Sequence, residues 1–210
     1  MLFLHACSPH APYLSDPDCL PRIIPPEPSS PHQKFVDLGR AWALEKKGEV
    51  PSPEECRRIE DFYDCNVLQM DRALGRLIQS LKTRGLYERC ILVLTGDHGE
   101  AFWEHGTQGH GKGLYDEVLK VPLIIKAPGF AAGRRDDRLA SHLDILPTLM
   151  AAVGGTPSRA VQGRNLAEKW ERTVGGAMDG SEFAVLSDRW KMTRKIKGTE
   201  MQNKKQLLFV

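Results

Sequence analysis

The residues with the clearest chemical potential lie in the segment 95–100, TGDHGE. This segment completes residues 90–96, CILVLTG, an apolar run typical of a strand covered on both faces. Ligand sites of open α/β sheets lie at the carboxyl ends of strands. A carboxylate and an imidazole at that position, Asp97 and His98, suit a divalent cation or an anion. Taken alone, the pair equally fits a turn capped by Asp97 with His98 packed against it.

More basic residues follow in a predicted Gly- and His-rich loop over residues 98–117. His105 lies in EHG (104–106), and His110 and Lys112 lie in GHGKG (109–113). Three of the seven histidines fall between residues 98 and 110. Such a cluster between two buried strands favours a metal-and-anion site over a solvated loop.

The sequence around this loop predicts the elements that position it. Ser52 as N-cap, Glu55 three residues later and Pro53 in the first turn predict the start of a long amphipathic helix that ends at Gly85. The further predicted elements are a helix near 33–46, strands at 2–7, 90–96 and 121–127, a helix at 142–153, and C-terminal strands at 183–196 and 206–210. This alternation of strands and helices predicts an α/β fold.

Composition narrows the classes of partner. The chain has 210 residues, 29 Lys and Arg against 27 Asp and Glu, and its basic residues are spread out, which argues against nucleic acid. No apolar run reaches the length of a membrane span. The five cysteines form no CxxC pair and no metal-ligand spacing, so mostly reduced thiols are predicted. The Pro- and Ser-rich residues 8–53 are predicted to be a long excursion on the surface.

The string LTGDHGEAFWEHGTQGHGKGLYDEVLKVPLIIKAPG (94–129) resembles the stretch of sulfatases that carries two metal ligands and a sulfate-contacting basic residue. Sulfatases belong to the alkaline phosphatase superfamily. The resemblance extends, in order, to LFLHACSPHAPY (2–13), the helix at 63–88, SHLDILPTLMAAVG (141–154), QGRNL (162–166) and LSDRWKMTRK (186–195). It implies part of an alkaline-phosphatase-like sandwich, a mostly parallel sheet flanked by helices, within residues 1–165. Residues 166–210 begin a small antiparallel subdomain.

The resemblance also implies roles for individual residues. Asp97 and His98 match the family's ligands of a divalent metal, and His10 in PHAP matches a residue that contacts the sulfate or protonates the leaving group. The family's basic residue of the loop corresponds either to His110, counted from the left, or to a position beside Lys112, counted back from Tyr115. His110 is slightly preferred. His142 and Asp144 are interpreted as structural residues.

Two family features are missing from the printed sequence. The nucleophile motif Cys/Ser-x-Pro-x-Arg is imitated by Cys7-Ser8-Pro9, but its fifth position is Ala11. The paired aspartates that follow the family's first strand and complete its metal site are also absent from this sequence. The chain is therefore predicted to be an internal part of a sulfatase, inactive alone, whose partner is a missing N-terminal half that contributes the formylglycine nucleophile.

The activity implied is metal-dependent hydrolysis of small-molecule or carbohydrate sulfate esters, with Ca²⁺ as the expected ion and Mn²⁺ or Mg²⁺ as alternatives. A phosphodiesterase or phosphoglycerol transferase of the same superfamily is the nearest alternative, because these enzymes share the Asp-His-Gly strand. A non-catalytic remnant that binds anions is the other. The compartment, cytoplasmic or periplasmic and secreted, depends on the missing N-terminus and is left open.

Overall fold

The computed structural model describes residues 1–14, 19, 38–170, 175–179, 182–187 and 189–195. The chain forms two compact units. The first comprises Met1–Arg89 and Ala101–Gly109, and the second comprises Cys90–Glu100 and the chain from His110 onwards. The domain boundary near residue 165 stays a prediction.

In the described part of the first unit, the α-helices are α1 (Gly39–Glu45) and α2 (Pro53–Thr83). The predicted capping box of α2 is confirmed: the Ser52 hydroxyl accepts from the Glu55 backbone N–H at 3.3 Å, and the Ser52 N–H donates to the Glu55 carboxylate at 3.0 Å. These bonds stabilise the start of the helix because its first N–H groups have no partner within the helix. The helix predicted near 33–46 is confirmed over α1, and residues 33–37 lie outside the described part of the chain.

The core of the first unit gathers residues from distant parts of the sequence. Its buried members are Tyr13, Leu38, Ala41, Ile59, Phe62 and Trp103. The prediction that residues 8–53 lie on the surface is therefore wrong for Tyr13, Leu38 and Ala41. Proline frequency identifies irregular backbone, but it does not determine whether the apolar residues within that backbone are buried.

A short hairpin, β2 (Ala101–Phe102) paired with β3 (Gln108–Gly109), lies within the region predicted to be loop. Gln108 is 2% exposed; its amide accepts from the Trp42 indole at 2.8 Å and donates to the Tyr13 hydroxyl at 3.2 Å. The turn contains Trp103 at φ 69°, an uncommon conformation for a residue with a side chain. Strands of two residues leave no periodicity to detect, so this hairpin was missed.

Cys19 and Cys65 form a disulfide between Cα atoms 5.7 Å apart, and both residues are fully buried. The prediction of mostly reduced thiols is wrong for this pair, while Cys7, Cys56 and Cys90 are free thiols. The 46 residues that separate the bonded cysteines hide their proximity in the sequence.

The predicted strand at residues 2–7 is wrong. These residues have no regular structure, and Leu2, Phe3 and Leu4 are 79%, 82% and 61% exposed. A strand forms when its N–H and C=O groups pair with a neighbouring strand. In the described part of the chain, no strand pairs with residues 1–7.

The second unit contains β1 (Leu92–Thr95) and β4 (Leu123–Lys126), which fall within the predicted strands at 90–96 and 121–127. They pair antiparallel, Leu92 opposite Lys126 and Thr95 opposite Leu123. The expected parallel pairing is not found among the described strands. Antiparallel neighbours need only a loop between them, whereas parallel neighbours need a long crossover. The expected cover on both faces is also incomplete, since Ile124 is 57% exposed.

Helix α3 (Asp116–Leu119) lies between β1 and β4 in the sequence, and helix α4 (Ile145–Ala152) follows β4. The helix predicted at 142–153 is confirmed, although its first turn, His142–Asp144, is a 3-10 turn. Gly154 follows the helix at φ 78°, as expected for a glycine that ends a helix. No helix in the described ranges is long and apolar enough to cross a membrane.

A three-stranded antiparallel sheet, β5 (Gly175–Asp179), β6 (Glu182–Leu186) and β7 (Lys191–Lys195), follows in the order β5-β6-β7. It confirms the predicted small antiparallel sheet, but the single strand predicted at 183–196 is two strands joined by a turn. The Ser187 N–H donates to the Trp190 carbonyl at 2.7 Å in that turn. The strand predicted at 206–210 lies outside the described residues.

In the second unit, Arg138 connects its own loop to residues 164–170 through hydrogen bonds. Its guanidinium donates to both carboxylate oxygens of Asp136 and to the carbonyls of Leu166 and Glu168, at 2.6–3.0 Å. It also lies over the Trp170 ring, 4.7 Å from the centroid. The hydrogen bond from Arg138 lowers the pKa of Asp136 to about 2.

We predict that Asp136→Asn lowers the free energy of unfolding by about 1 kcal/mol at neutral pH, after allowance for solvent screening of this part-exposed pair. A carboxyl whose pKa is depressed by folding stabilises the folded state above its unfolded pKa, near 3.9. That contribution disappears as the pH falls through about 2. Urea unfolding of wild type, Asp136→Asn and the control Asp137→Asn between pH 7 and pH 3 tests this. A difference that does not shrink toward pH 3 contradicts it.

Candidate active site

The candidate site begins where β1 ends. Asp97 is exposed, and its Oδ1 accepts from the His98 backbone N–H at 3.1 Å. The His98 Nδ1 lies 2.8 Å from the Gly99 carbonyl oxygen. A carbonyl can only accept, so Nδ1 carries the hydrogen, and the lone pair of the neutral ring is on Nε2. This is the protonation pattern of a metal-ligating histidine whose other nitrogen is held by a carbonyl.

The turn is fixed against α3 by a close approach at Gly99. The Gly99 N–H donates to the Val118 carbonyl at 2.7 Å. A Cβ added at Gly99 would lie within 2.0 Å of the Glu117 carbonyl oxygen. Glycine is therefore required here by the close packing of the backbone.

The end of β1 is held by a second contact. The Thr95 hydroxyl donates to the Gly96 carbonyl at 3.1 Å and lies 3.3 Å from Nε2 of His142. Because the single hydroxyl hydrogen is used on Gly96, the His142 Nε2–H donates to Thr95 Oγ1. His142 thus anchors the strand end that leads to Asp97, which agrees with its interpretation as a structural residue.

His110 joins His98 in the second unit. The two imidazole rings stack, with centroids 3.8 Å apart and planes at 28°. The His110 Nδ1 lies 3.1 Å from Oε1 of Glu100, whose side chain is 5% exposed. Glu100 is not among the site residues predicted from the sequence. The sequence shows Glu100 only as a charged residue shortly after an apolar strand, and a residue at such a position can equally be exposed to solvent.

The remaining predicted residues lie elsewhere. Lys112 is exposed two residues beyond His110 in the second unit. His10 belongs to the first unit, where its Nδ1 is 2.6 Å from the Ala11 carbonyl oxygen. His105 is exposed in the turn of the hairpin in the first unit. The structure therefore brings together His98 and His110 beside Asp97, and it does not test the roles of His10 and Lys112.

Asp97 and His98 together fit a divalent cation as two ligands of a larger set. Oδ1 of Asp97 and Nε2 of His98 are 3.9 Å apart. This distance is too long for a hydrogen bond, but two atoms that far apart can both lie at about 2.0–2.6 Å from one ion. Among the described residues, no group of three or more His, Cys, Asp or Glu side chains could hold a metal ion.

A model of the sulfatase family matches residues 1–155, about three quarters of the chain. This chain belongs to the sulfatase family. The resemblance stated from the sequence is thereby confirmed, and with it membership of the alkaline phosphatase superfamily. Sulfatases depend in general on a divalent metal.

Individual sulfatases support this assignment. An endo-4-O-sulfatase of Bacteroides thetaiotaomicron is 30% identical over 162 residues, which cover 76% of this chain and 30% of that protein. The protein BT4656, solved in complex with its substrate D-glucosamine-2-N,6-O-disulfate, matches with a TM-score of 0.62 at 21% identity. That match covers 77% of this chain and 37% of BT4656.

A phosphonate monoester hydrolase of Agrobacterium radiobacter matches with a TM-score of 0.61 at 24% identity, over 74% of this chain and 39% of that protein. These structural matches confirm the predicted α/β, alkaline-phosphatase-like fold class. This sulfatase family member spans 30% to 39% of the length of these three proteins.

Proposed function

We propose that this chain carries the metal-binding and anion-binding part of the active site of a sulfate ester hydrolase. The stack of His98 on His110 beside Asp97 carries the proposal, because it joins a metal-ligand pair to a basic group within one unit. Membership of the sulfatase family gives this geometry its chemical meaning.

In this proposal Asp97 and His98 hold the ion through Oδ1 and Nε2. A bound divalent cation withdraws charge from the sulfuryl oxygens as the ester bond breaks. We propose Ca²⁺, which suits carboxylate ligands, and keep Mn²⁺ and Mg²⁺ as alternatives because an imidazole favours a softer ion. The Gly99 carbonyl holds the His98 ring so that Nε2 is presented to the metal.

His110 is the group that we propose to contact the sulfate. Its stack on His98 puts it beside a proposed metal ligand. Hydrogen-bond donors fixed before the reaction stabilise charge that develops in the transition state. Lys112 remains the alternative, since an exposed lysine on a glycine-flanked stretch can reach an anion.

The proposed leaving-group residue is His10, which would hold or supply a proton at the departing alcohol oxygen. The proposed nucleophile, a formylglycine, is expected outside the printed sequence, because no Cys/Ser-x-Pro-x-Arg motif is present in it. Cys7, whose motif lacks the arginine, is not proposed as its precursor. The chain alone is accordingly expected not to hydrolyse sulfate esters.

The proposed substrate is a small-molecule or carbohydrate sulfate ester. Two proteins similar to this chain act on or bind such compounds by their names, an endo-4-O-sulfatase and BT4656 with a glucosamine disulfate. Hydrolysis of a phosphorus ester is the second candidate. It is favoured by the similarity of fold to the phosphonate monoester hydrolase.

The full-length product of the gene tests the proposal. With added Ca²⁺ or Mn²⁺ it is expected to hydrolyse an aryl sulfate faster than an aryl phosphonate or a phosphodiester. Asp97→Asn, which keeps the size of the side chain, is expected to lose this activity, and Asp137→Asn is the control. Faster turnover of the phosphonate or the diester would select the second candidate.

A separate prediction concerns metal binding by the chain itself. Two ligands give an incomplete coordination shell, so calorimetry on the purified chain is expected to show only weak Ca²⁺ binding, with no site tighter than the micromolar range. Sub-micromolar binding that Asp97→Ala abolishes would mean that this chain completes the site with its own residues.

A further inference from the structure

Two contacts determine the orientation of the His110 ring. Its Nδ1 lies 3.1 Å from Oε1 of Glu100, and its face stacks on His98 at 3.8 Å between centroids. A hydrogen bond in the plane of the ring fixes the direction of Nδ1, and the stack fixes the tilt of the plane. Together they restrict both rotations of an imidazole side chain.

Glu100 is itself held firmly enough to act as an anchor. Its side chain is 5% exposed, in contrast to 34% for His110. The preceding residue, Gly99, is fixed by its hydrogen bond to Val118 and by the narrow space beside Glu117. A buried carboxyl on a fixed backbone is costly unless it makes hydrogen bonds, so the His110 contact satisfies a group that needs a donor.

Chain geometry explains how two residues ten positions apart meet. The hairpin pairs Ala101 with Gly109. Glu100 directly precedes Ala101 and His110 directly follows Gly109, so both residues lie at the same end of the paired strands. The intervening hairpin therefore sets their separation, although neither residue belongs to it.

We propose that Glu100 is a positioning residue that holds His110 through its Nδ1 hydrogen and so orients the opposite, Nε2 edge of the ring toward the substrate anion. A carboxylate only accepts hydrogen bonds, so the bond requires its hydrogen on Nδ1. This requirement is the same whether the ring is neutral or charged. The use of Nε2 on an anion rests on the proposed function, whereas the Glu100–His110 bond does not.

The position of the ring hydrogen is directly measurable in this chain. In a chain labelled with ¹⁵N at its histidines, long-range correlation spectra distinguish a protonated from an unprotonated ring nitrogen. His110→Gln assigns the His110 signals, and spectra near pH 9 report on rings that are generally neutral. We expect the His110 hydrogen on Nδ1 in the wild type.

Two variants separate positioning from general packing. Glu100→Gln keeps an acceptor oxygen and is expected to retain the Nδ1 hydrogen, whereas Glu100→Leu removes the acceptor and is expected to lose it. Unchanged His142 signals, from a ring that contacts Thr95 in the same unit, show that each variant is folded. An unprotonated Nδ1 in the wild type overturns the proposal without any variant, and so does an unchanged tautomer in folded Glu100→Leu.

Activity of the full-length product separates this inference from the proposed function. Loss of turnover in Glu100→Leu with recovery in Glu100→Gln supports positioning for catalysis. A Glu100-dependent tautomer with full turnover in His110→Ala would leave the positioning intact and refute the role of His110 toward the anion.

Discussion

In the full-length product, His110→Ala is expected to lower kcat for a sulfate ester about 10²-fold or more, as is usual when a group that stabilises transition-state charge is removed. Lys112→Ala is expected to change kcat by less than about threefold, because Lys112 is exposed, whereas His110 stacks on the proposed metal ligand His98. The two residues lie two positions apart in one loop, so each serves as the control for the other.

Steady-state kinetics with an aryl sulfate measure both variants. His110→Lys, which places a cation at this position but cannot stack, is expected to recover part of the lost turnover if positive charge is the main contribution. A large loss confined to Lys112→Ala would reverse the assignment and make Lys112 the sulfate-contacting residue.

Asp144→Ala is expected to lower the free energy of unfolding by about 3–5 kcal/mol, the largest effect on stability that we predict. Asp144 is fully buried, and its two oxygens accept from the Ser141 and Arg164 backbone N–H groups, each at 2.8 Å. Removing the carboxyl breaks both of these hydrogen bonds, and it also leaves a cavity at a fully buried position.

Asp144→Asn discriminates between packing and hydrogen bonding. It keeps the volume, but its amide group faces one of the two donors, so a loss of about 2 kcal/mol is expected. Asp137→Ala, an exposed residue of the same unit, is the matched control and is expected to change stability by less than about 0.5 kcal/mol. Urea unfolding measures all three. An Asp144→Ala loss no larger than that of the control would contradict the account.

The features that the sequence predicted well are local. The capping box of Ser52 and Glu55 lies within four residues, and the long amphipathic helix that follows repeats its apolar positions many times. The Asp97-His98 turn directly follows an apolar strand. In each case the residues that interact are neighbours in the chain, so their spacing in the sequence is enough to predict the local structure.

The features that could not be predicted depend on residues distant in sequence. Gln108 meets Trp42 across 66 positions, and Cys19 meets Cys65 across 46. The contact of Glu100 with His110 depends on a hairpin whose strands have two residues each, too short for an alternating pattern. The direction in which β1 and β4 pair depends on the connection between the two strands, and the composition of the strands does not reveal it.

We propose that Asp97 and His98 hold a divalent metal beside His110. Paramagnetic broadening by substoichiometric Mn²⁺ tests it most directly, because this effect detects weak binding and decreases steeply with distance from the ion. In the ¹⁵N-labelled chain we expect the strongest broadening at the amides of residues 97–99 and the ring of His110, and its loss in Asp97→Ala. Broadening centred elsewhere, or unchanged in Asp97→Ala, would contradict the assignment of this turn as the metal site.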